Sequence, residues 1–429
     1  MNASPVTTGG AFLVERRPSM IKKPARGCRD ILPQEMELRD AVLADITKVY
    51  RQSGYQKIKT PILENIENLT GSDGGDNLNM LFKILKRGDK LRLDNDALAP
   101  NDLVDLGLRY DLTLPLSRFY ANNMEDLPKP FKAIQIGDVF RAERPQKGRY
   151  RSFVQCDIDI LGDESAIAEA DLLDTTARAL SGLGFKDFTI EVNDRRIIKS
   201  LIVAAGFEAE AFERICISLD KMDKIGREGV IGELEEKGYD SQKVARLMDV
   251  FQAAASGGME GLKDQGTPQE VIEAVSTVLA AVGQNAKGAY QVVFNPYLIR
   301  GMGYYTGMIF EIKYGKYGYS LAGGGRYDKM IGKFIGQDVP AVGFSIGFER
   351  IIPIMMEEGL GLDQSAEKVA LFFSPDKDDL ASVMAYGNGL RDQGKTVGVF
   401  PMKKKFGKQV KRVEEQGYGT VLVYGRDTE

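Results

Sequence analysis

Residues 140–159 read FRAERPQKGRYRSFVQCDID, two strand-like ends joined by a basic, turn-rich loop. If the ends are the arms of an antiparallel hairpin, residues of like parity share a face, because successive strand residues point to opposite sides. Arg141, Glu143, Phe153, Gln155 and Asp159 then all point toward one pocket. An arginine on a pocket floor suits a phosphate, since its planar fork gives bidentate, permanently charged hydrogen bonds. Phe153 beside it can stack on a base, and Arg144, Lys147, Arg149 and Arg151 make a loop suited to a nucleic-acid backbone. Taken alone, such an arginine-rich stretch reads more readily as an exposed basic hairpin without a ligand.

Two further segments frame the hairpin. SGYQKIKTP at 53–61 reads as a strand ended by Pro61, and GFSIGFER at 343–350 as a Gly-rich strand from which Arg350 emerges at a helix start. Before the first of these, Pro33 opens a helix with Leu38, Ala41, Val42, Ile46, Val49 and Tyr50 at three- and four-residue spacing. Short apolar runs at 131–136 and 153–160, with a helix at 164–183, indicate an α+β domain on an antiparallel sheet flanked by helices. Residues 194–285 turn charged and Ala-rich and read as a helical insertion. Strand texture returns at 290–294, 308–313 and 319–321, so one domain is expected to span 21–193 and 286–360. Residues 367–429 alternate strand and helix and predict a small α/β domain with a parallel sheet.

Composition narrows the chemistry. The 429 residues include no histidine, which excludes a histidine base, a Ser-His-Asp triad, a Cys-His pair and a His-ligated metal. Carboxylates, arginines, lysines and hydroxyls must carry any reaction. Cys28, Cys156 and Cys216 are odd in number and far apart, so they read as reduced core thiols rather than a disulfide framework or metal site, and no metal site is expected. The net charge of −4 argues against a wholly basic nucleic-acid coat but leaves room for basic patches. No run of ~18 apolar residues occurs. Residues 1–20 read as a loose leader, no membrane span is expected, and the expected location is cytoplasmic.

The three segments, in order, resemble the signature motifs of class II aminoacyl-tRNA synthetases: an aromatic strand ending in proline, Phe-Arg-x-Glu with a returning aromatic, and a Gly-rich strand ending in Glu-Arg. LRYDLTLP (108–115), GRYRSFVQCDIDI (148–160), RGMGYYTG (300–307) and AGGGRYD (322–328) are similar to the histidine-binding segments of the histidyl-tRNA synthetase family. The likeness runs from about Lys22 to the end of the chain.

That resemblance implies ATP-dependent activation of histidine and its transfer to tRNA(His), with Mg2+ accompanying ATP. Asp111 and Thr113 would hold the α-ammonium, with Gln155 at the same end, while Asp159 and Tyr305 would bind the imidazole nitrogens beside Tyr304. Arg141 and Arg300 would clamp the α-phosphate and serve as the catalytic pair at the histidine carboxylate. Glu143 and Phe153 would hold adenine, and Arg350 would stack on it or reach the distal phosphates. Gly323–Gly325, otherwise a plain turn, would form a backbone wall of the pocket. The insertion would clamp the acceptor stem. Lys147, Arg149, Lys404, Lys405 and Lys408 would contact tRNA, and a homodimer would form beside Pro61.

The chain departs from the family pattern in two places. Met302 and Gly303 stand where Leu-Asp is usual, and the last domain stops just after its third strand. Two non-catalytic readings are thereby kept: a histidine-sensing regulatory subunit of ATP phosphoribosyltransferase, and a tRNA-binding sensor. Arg141, Arg300, Arg350 and a C-terminal domain favour the enzyme.

Overall fold

The computed structural model describes residues 20–71, 79–91, 100–144, 149–300, 305–315, 317, 320–361 and 367–428. Lys147, Met302, Gly303, Tyr304 and the expected leader except Met20 lie outside the described residues.

The first helix, α1 (Pro33–Gln52), begins at a proline whose fixed φ suits a helix start. It buries Leu38, Val42, Ile46 and Tyr50, one stripe at four-residue spacing. Each such side chain contributes ~1.5–3 kcal/mol when fully buried. The chain turns out of the helix at Gly54, whose φ of 86° is costly for residues with a Cβ.

There follow β1 (Gln56–Lys57), β2 (Leu63–Asn65), α2 (Ile66–Gly71), β3 (Lys83–Leu85), β4 (Val104–Leu108) and α3 (Thr113–Asn123). The long hairpin is β5 (Phe131–Phe140) and β6 (Ser152–Leu161), followed by α4 (Ala166–Gly182) and β7 (Phe188–Asp194). Five helices come next: α5 (Arg195–Ala204), α6 (Phe212–Leu219), α7 (Met222–Glu236), α8 (Ser241–Gly257) and α9 (Gln269–Asn285). Helix α7 is broken at Gly226, where φ is 68°. The chain returns through β8 (Tyr290–Phe294), β9 (Met308–Tyr314), β10 (Ser320–Arg326), α10 (Lys329–Ile335), β11 (Ala341–Ile346) and α11 (Phe348–Glu358). It closes with β12 (Lys368–Phe373), α12 (Leu380–Asp392), β13 (Thr396–Pro401), α13 (Phe406–Glu414) and β14 (Thr420–Val423).

The large sheet runs β1-β5-β6-β11-β10-β9-β7-β8. Its inner pairings are antiparallel, as the sequence leads one to expect, but both edges are parallel. A parallel neighbour needs a crossover connection. Helices α5 to α9 supply the crossover between β7 and β8. The segment from β2 to α3 does the same between β1 and β5. A second sheet, β2-β4-β3, has no counterpart in the sequence reading, because its strands are too short for alternation to show. The last three strands pair in parallel, in the order β13-β12-β14.

Strand β6 organises the whole. Its even residues Cys156, Ile158 and Ile160 enter the main core with the stripe of α1 and with Leu172, Leu173, Ala177 and Leu180 of α4. Its odd residues Phe153, Gln155, Asp157 and Asp159 face a cavity on the other side. One face therefore fixes the strand and the other displays polar groups. Cys156 and Cys216 are buried as expected, whereas Cys28 is only half-buried, because it precedes α1 in an irregular segment. Among the described residues no helix is long and apolar enough to cross a membrane.

A buried ion pair ties the sheet to α4. Arg326 Nε and Nη2 donate to Glu169 Oε1 and Oε2 at 2.6 and 2.8 Å, and Nη1 donates to the Asp163 carbonyl at 3.0 Å. Glu169→Ala removes the bidentate partner of a buried guanidinium and leaves it only Asp328 Oδ1 at 3.4 Å, which should cost ~2–4 kcal/mol in urea unfolding. A loss under ~1 kcal/mol would show that the pair is dispensable.

Candidate active site

The cavity has a volume of about 970 Å³ and holds chemically distinct ends. At the acidic end, Asp111 lies between β4 and the first turn of α3, where it accepts the Leu114 N–H at 3.2 Å. Asp157 and Asp159 follow on β6. The three carboxyls are 3–5% exposed, and none is within ion-pair distance of a described basic side chain. Burial pushes Asp111 up to about 6, against the pull of the Leu114 N–H and Arg141. Burial pushes Asp159 up to about 7, against a hydrogen bond from Tyr327. Burial, then the neighbouring Asp159, hold Asp157 well above the usual carboxylate range. The physical cause is shared, since a low-dielectric site disfavours charge and like charges disfavour one another.

Sheet register makes room for these groups. Asp159 sits between Ala133 and Gly343, and a Cβ on Gly343 would lie 2.0 Å from Asp159 Oδ1. Tyr327 Oη donates to that same oxygen at 2.5 Å, whereas Asp159 Oδ2 has no hydrogen-bond partner among the described residues. Asp157 sits between Gln135 and Ser345. Gln155 Nε2 donates to Asp157 Oδ2 and to Ser345 Oγ, both at 3.4 Å. Thr113 and Tyr305, both half-buried, also line the cavity.

Arginines dominate the other end. Arg141 Nε donates to the Tyr110 carbonyl at 3.0 Å, and its guanidinium lies 5.1 Å from the centre of the Phe153 ring. That contact preorganises both an anion-binding fork and an aromatic face. Arg300 reaches in from the segment after β8, its Nη1 lying 3.3 Å from Glu311 Oε1. Arg350, in the first turn of α11, donates through Nη1 to the Ser320 carbonyl and hydroxyl at 2.7 and 3.0 Å. Glu143 lines the rim and faces Arg149 at 3.6 Å.

The start of α11 is pinned from beneath. Glu349 accepts Arg39 Nη2 and Nη1 of α1 at 2.5 and 2.9 Å, Arg29 Nη2 at 3.2 Å and the Val154 N–H at 3.3 Å. Burial raises the Glu349 carboxyl, but Arg39 overrides it and holds the group below its usual range. This strut joins α1, β6 and α11, the elements that carry Phe153 and Arg350.

The structure thus gathers Asp111, Thr113, Arg141, Glu143, Phe153, Gln155, Asp159, Arg300, Tyr305 and Arg350 around one cavity, with Arg149 at its rim. Lys404, Lys405 and Lys408 are exposed at the start of α13 and do not line it. Asp157, Tyr327 and Ser345 lie in segments the sequence reading singles out, but it gives none of them a role. The parity that singles out Gln155 and Asp159 includes Asp157 as well. The role of Tyr327 depends on a partner 168 residues away. Helix α6 and the residues after it also supply Glu213, Asp220, Lys221 and Lys224 to the cavity wall.

A family model described as histidyl-tRNA synthetase matches residues 27–351. Among curated proteins, a histidine–tRNA ligase of Leifsonia xyli is 41% identical over 418 residues, covering 94% of this chain and 96% of the relative. One from Cytophaga hutchinsonii is 33% identical over 425 residues, covering 95% and 93%. A crystal structure of histidyl-tRNA synthetase from Nostoc superposes with a TM-score of 0.75 at 24% identity, covering 93% of this chain and 90% of that one. A structure titled ATP phosphoribosyltransferase regulatory subunit/histidyl-tRNA synthetase, from Bacillus halodurans, also gives 0.75, at 20% identity and with coverage of 94% and 98%. At these identities the two structures speak to the fold.

The glycine triplet lies within β10 rather than in a turn, and its members serve different ends. A Cβ on Gly323 would meet the Arg300 guanidinium at 2.1 Å, whereas one on Gly324 would meet the Gly343 carbonyl oxygen at 2.0 Å. Gly323→Ala should therefore displace a movable side chain and leave thermal stability near that of the parent, with Arg300 shifted in a crystal structure. Gly324→Ala presses on backbone and should cost ~1–3 kcal/mol or more. Equal stability losses in the two variants would contradict the distinction.

Proposed function

The chain belongs to the histidyl-tRNA synthetase family, and we propose that it activates histidine with ATP and transfers the histidyl group to the 3′ end of tRNA(His). The observation that carries this reading is one cavity with buried carboxyls at one end and anchored arginines at the other. An amino acid offers an ammonium to the first and a carboxylate to the second. ATP offers its α-phosphate to the second as well, so the reacting groups meet between the two ends.

In the first step a histidine carboxylate oxygen attacks the α-phosphorus, the bond to the bridging oxygen breaks, and pyrophosphate leaves. Arg141 and Arg300 neutralise the charge gathering on the α-phosphate; a hydrogen bond to the Tyr110 carbonyl holds Arg141 before the reaction, and Arg300 lies at ion-pair distance from Glu311. Phe153 offers its face to adenine, Glu143 accepts from the base, and Arg350 reaches the adenine or the distal phosphates. Asp111, Thr113 and Gln155 hold the ammonium. Asp159, oriented by Tyr327, and Tyr305 hold the imidazole, so an analogue without the ring nitrogens would leave buried polar groups unpaired. Mg2+ accompanying ATP would supply further screening of the phosphate charge. In the second step a ribose hydroxyl at the tRNA 3′ end attacks the adenylate carbonyl and releases AMP. None of these roles needs a protein histidine.

The division of labour along the chain belongs to the same proposal. Residues 21–193 and 286–360 make the catalytic domain, 194–285 an insertion that grips the acceptor stem, and 367–429 the anticodon domain. The exposed Lys404, Lys405 and Lys408, with Arg149 and Lys147, then contact tRNA. A homodimer forms through the small sheet, where Ile62, Leu63 and Leu85 are exposed apolar side chains. The cytoplasm is the compartment that supplies these substrates. The regulatory-subunit and sensor readings lose to the enzyme, because Arg141, Arg300 and Arg350 all line the cavity and the curated relatives quoted above are ligases.

Exchange of labelled pyrophosphate into ATP should depend on histidine, and Arg300→Ala should lower it ~10²–10³-fold while circular dichroism stays unchanged. No exchange by the parent would remove the enzyme reading, and full exchange by Arg300→Ala would remove the role given to Arg300.

A further inference from the structure

Asp157 has no role in the reaction as set out above, although it stands on the cavity face of β6 between Gln155 and Asp159. It is 5% exposed, and its Oδ1 has no hydrogen-bond partner among the described residues. Its Oδ2 accepts Gln155 Nε2, which also donates to Ser345. That orientation commits the Gln155 amide nitrogen to protein partners and leaves Gln155 Oε1 as a second acceptor without a partner among the described residues. Asp111 lines the same cavity and is close enough to disfavour the charged form of Asp157. The Ser345 hydroxyl favours the charged form of Asp157, yet Asp157 Oδ1 and Gln155 Oε1 remain adjacent acceptors without a hydrogen-bond partner among the described residues. Asp159 is different, because one of its oxygens is already held by Tyr327.

An α-ammonium carries three N–H donors and no acceptor. We propose that Asp157 is a specificity-determining residue for the amino acid, its Oδ1 joining Gln155 Oε1 and the Asp111 carboxylate in a three-acceptor seat for the substrate's ammonium. The proposal rests on the histidine-activating reading and deepens it by dividing the acidic end into two subsites. Asp157 belongs to the ammonium and Asp159 to the ring. A second carboxylate at the ammonium makes the seat selective for an α-amine, because a ligand without that nitrogen leaves buried acceptors unpaired.

The test compares two ligands that share the ring. Histidinol keeps the ammonium, and imidazolepropionate lacks it. With Asp157→Asn, which preserves size, calorimetry should show histidinol binding weakened at least ~tenfold, with imidazolepropionate and ATP binding changed less than ~twofold. Equal weakening of both imidazole ligands, or of neither, would overturn the assignment. Asp157→Ser repeats the comparison if the first variant does not fold. A crystal structure of the parent with histidinol tests the same point without a substitution. Its amine nitrogen should lie within hydrogen-bond distance of Asp157 Oδ1, and a separation beyond ~4 Å would refute the seat. A parent that binds neither imidazole ligand would instead count against the histidine reading itself.

Discussion

Three carboxyls buried around one cavity, two on strand β6 and one just before α3, with no described basic side chain within ion-pair distance, are the constraint around which this protein is built. Such an arrangement is unfavourable in isolation, because burial disfavours charge and each carboxylate disfavours its neighbours. It persists because the opposite face of the same strand is locked. Cys156, Ile158 and Ile160 pack under α1 and α4, so β6 cannot roll its acidic side toward water without emptying a core. The glycines and small residues on either side of the acidic rungs follow from the same need. Gly343 leaves the volume that the Asp159 carboxylate occupies.

The arginine end is governed by anchoring. Arg141 hangs from a backbone carbonyl and stacks on Phe153, Arg350 is tied to Ser320, and Glu349 beneath it joins α11 to α1. These are permanently charged groups held before any substrate arrives, which is the condition for electrostatic stabilisation without reorganisation at the moment of reaction. With acid at one end and arginine at the other, the site is polarised along the line on which an amino acid places its ammonium and carboxylate. In the proposed reaction, a zwitterion and a nucleotide phosphate would complete the charge balance that the protein leaves open.

Much of this was legible in the sequence, and for local reasons. The strand-like ends of residues 140–159 and the turn chemistry between them suggest the hairpin, and parity then gives its pocket face. The proline at residue 33 and the four-residue spacing after it identified α1. Other features depended on distant partners. Tyr327 finds Asp159 and Glu349 finds Arg39 only when strands far apart in the chain pair, and periodicity carries no information about such pairs. The parallel edges of the sheet follow from crossovers whose return point is a tertiary choice. Strands of two or three residues are too short to alternate. Asp157 is a different case, because the parity argument already contained it. The absence of histidine, first only an exclusion, gains meaning from the acidic end: imidazole enters this protein as substrate.

The most direct measurement of this charge balance is urea unfolding of the ligand-free parent and of Asp159→Asn, which keeps the acceptor for Tyr327, between pH 4.5 and 8. With a folded value of about 7 against ~3.9 unfolded, Asp159 destabilises the ligand-free fold increasingly as pH rises through that interval, by on the order of 4 kcal/mol at most above pH 7. The variant should therefore be the more stable protein by a margin that widens with pH, and saturating histidine should stabilise the parent far more than the variant. A margin independent of pH, or a parent more stable than the variant at pH 8 without ligand, would contradict the claim that the acidic face is held in wait for a cationic substrate.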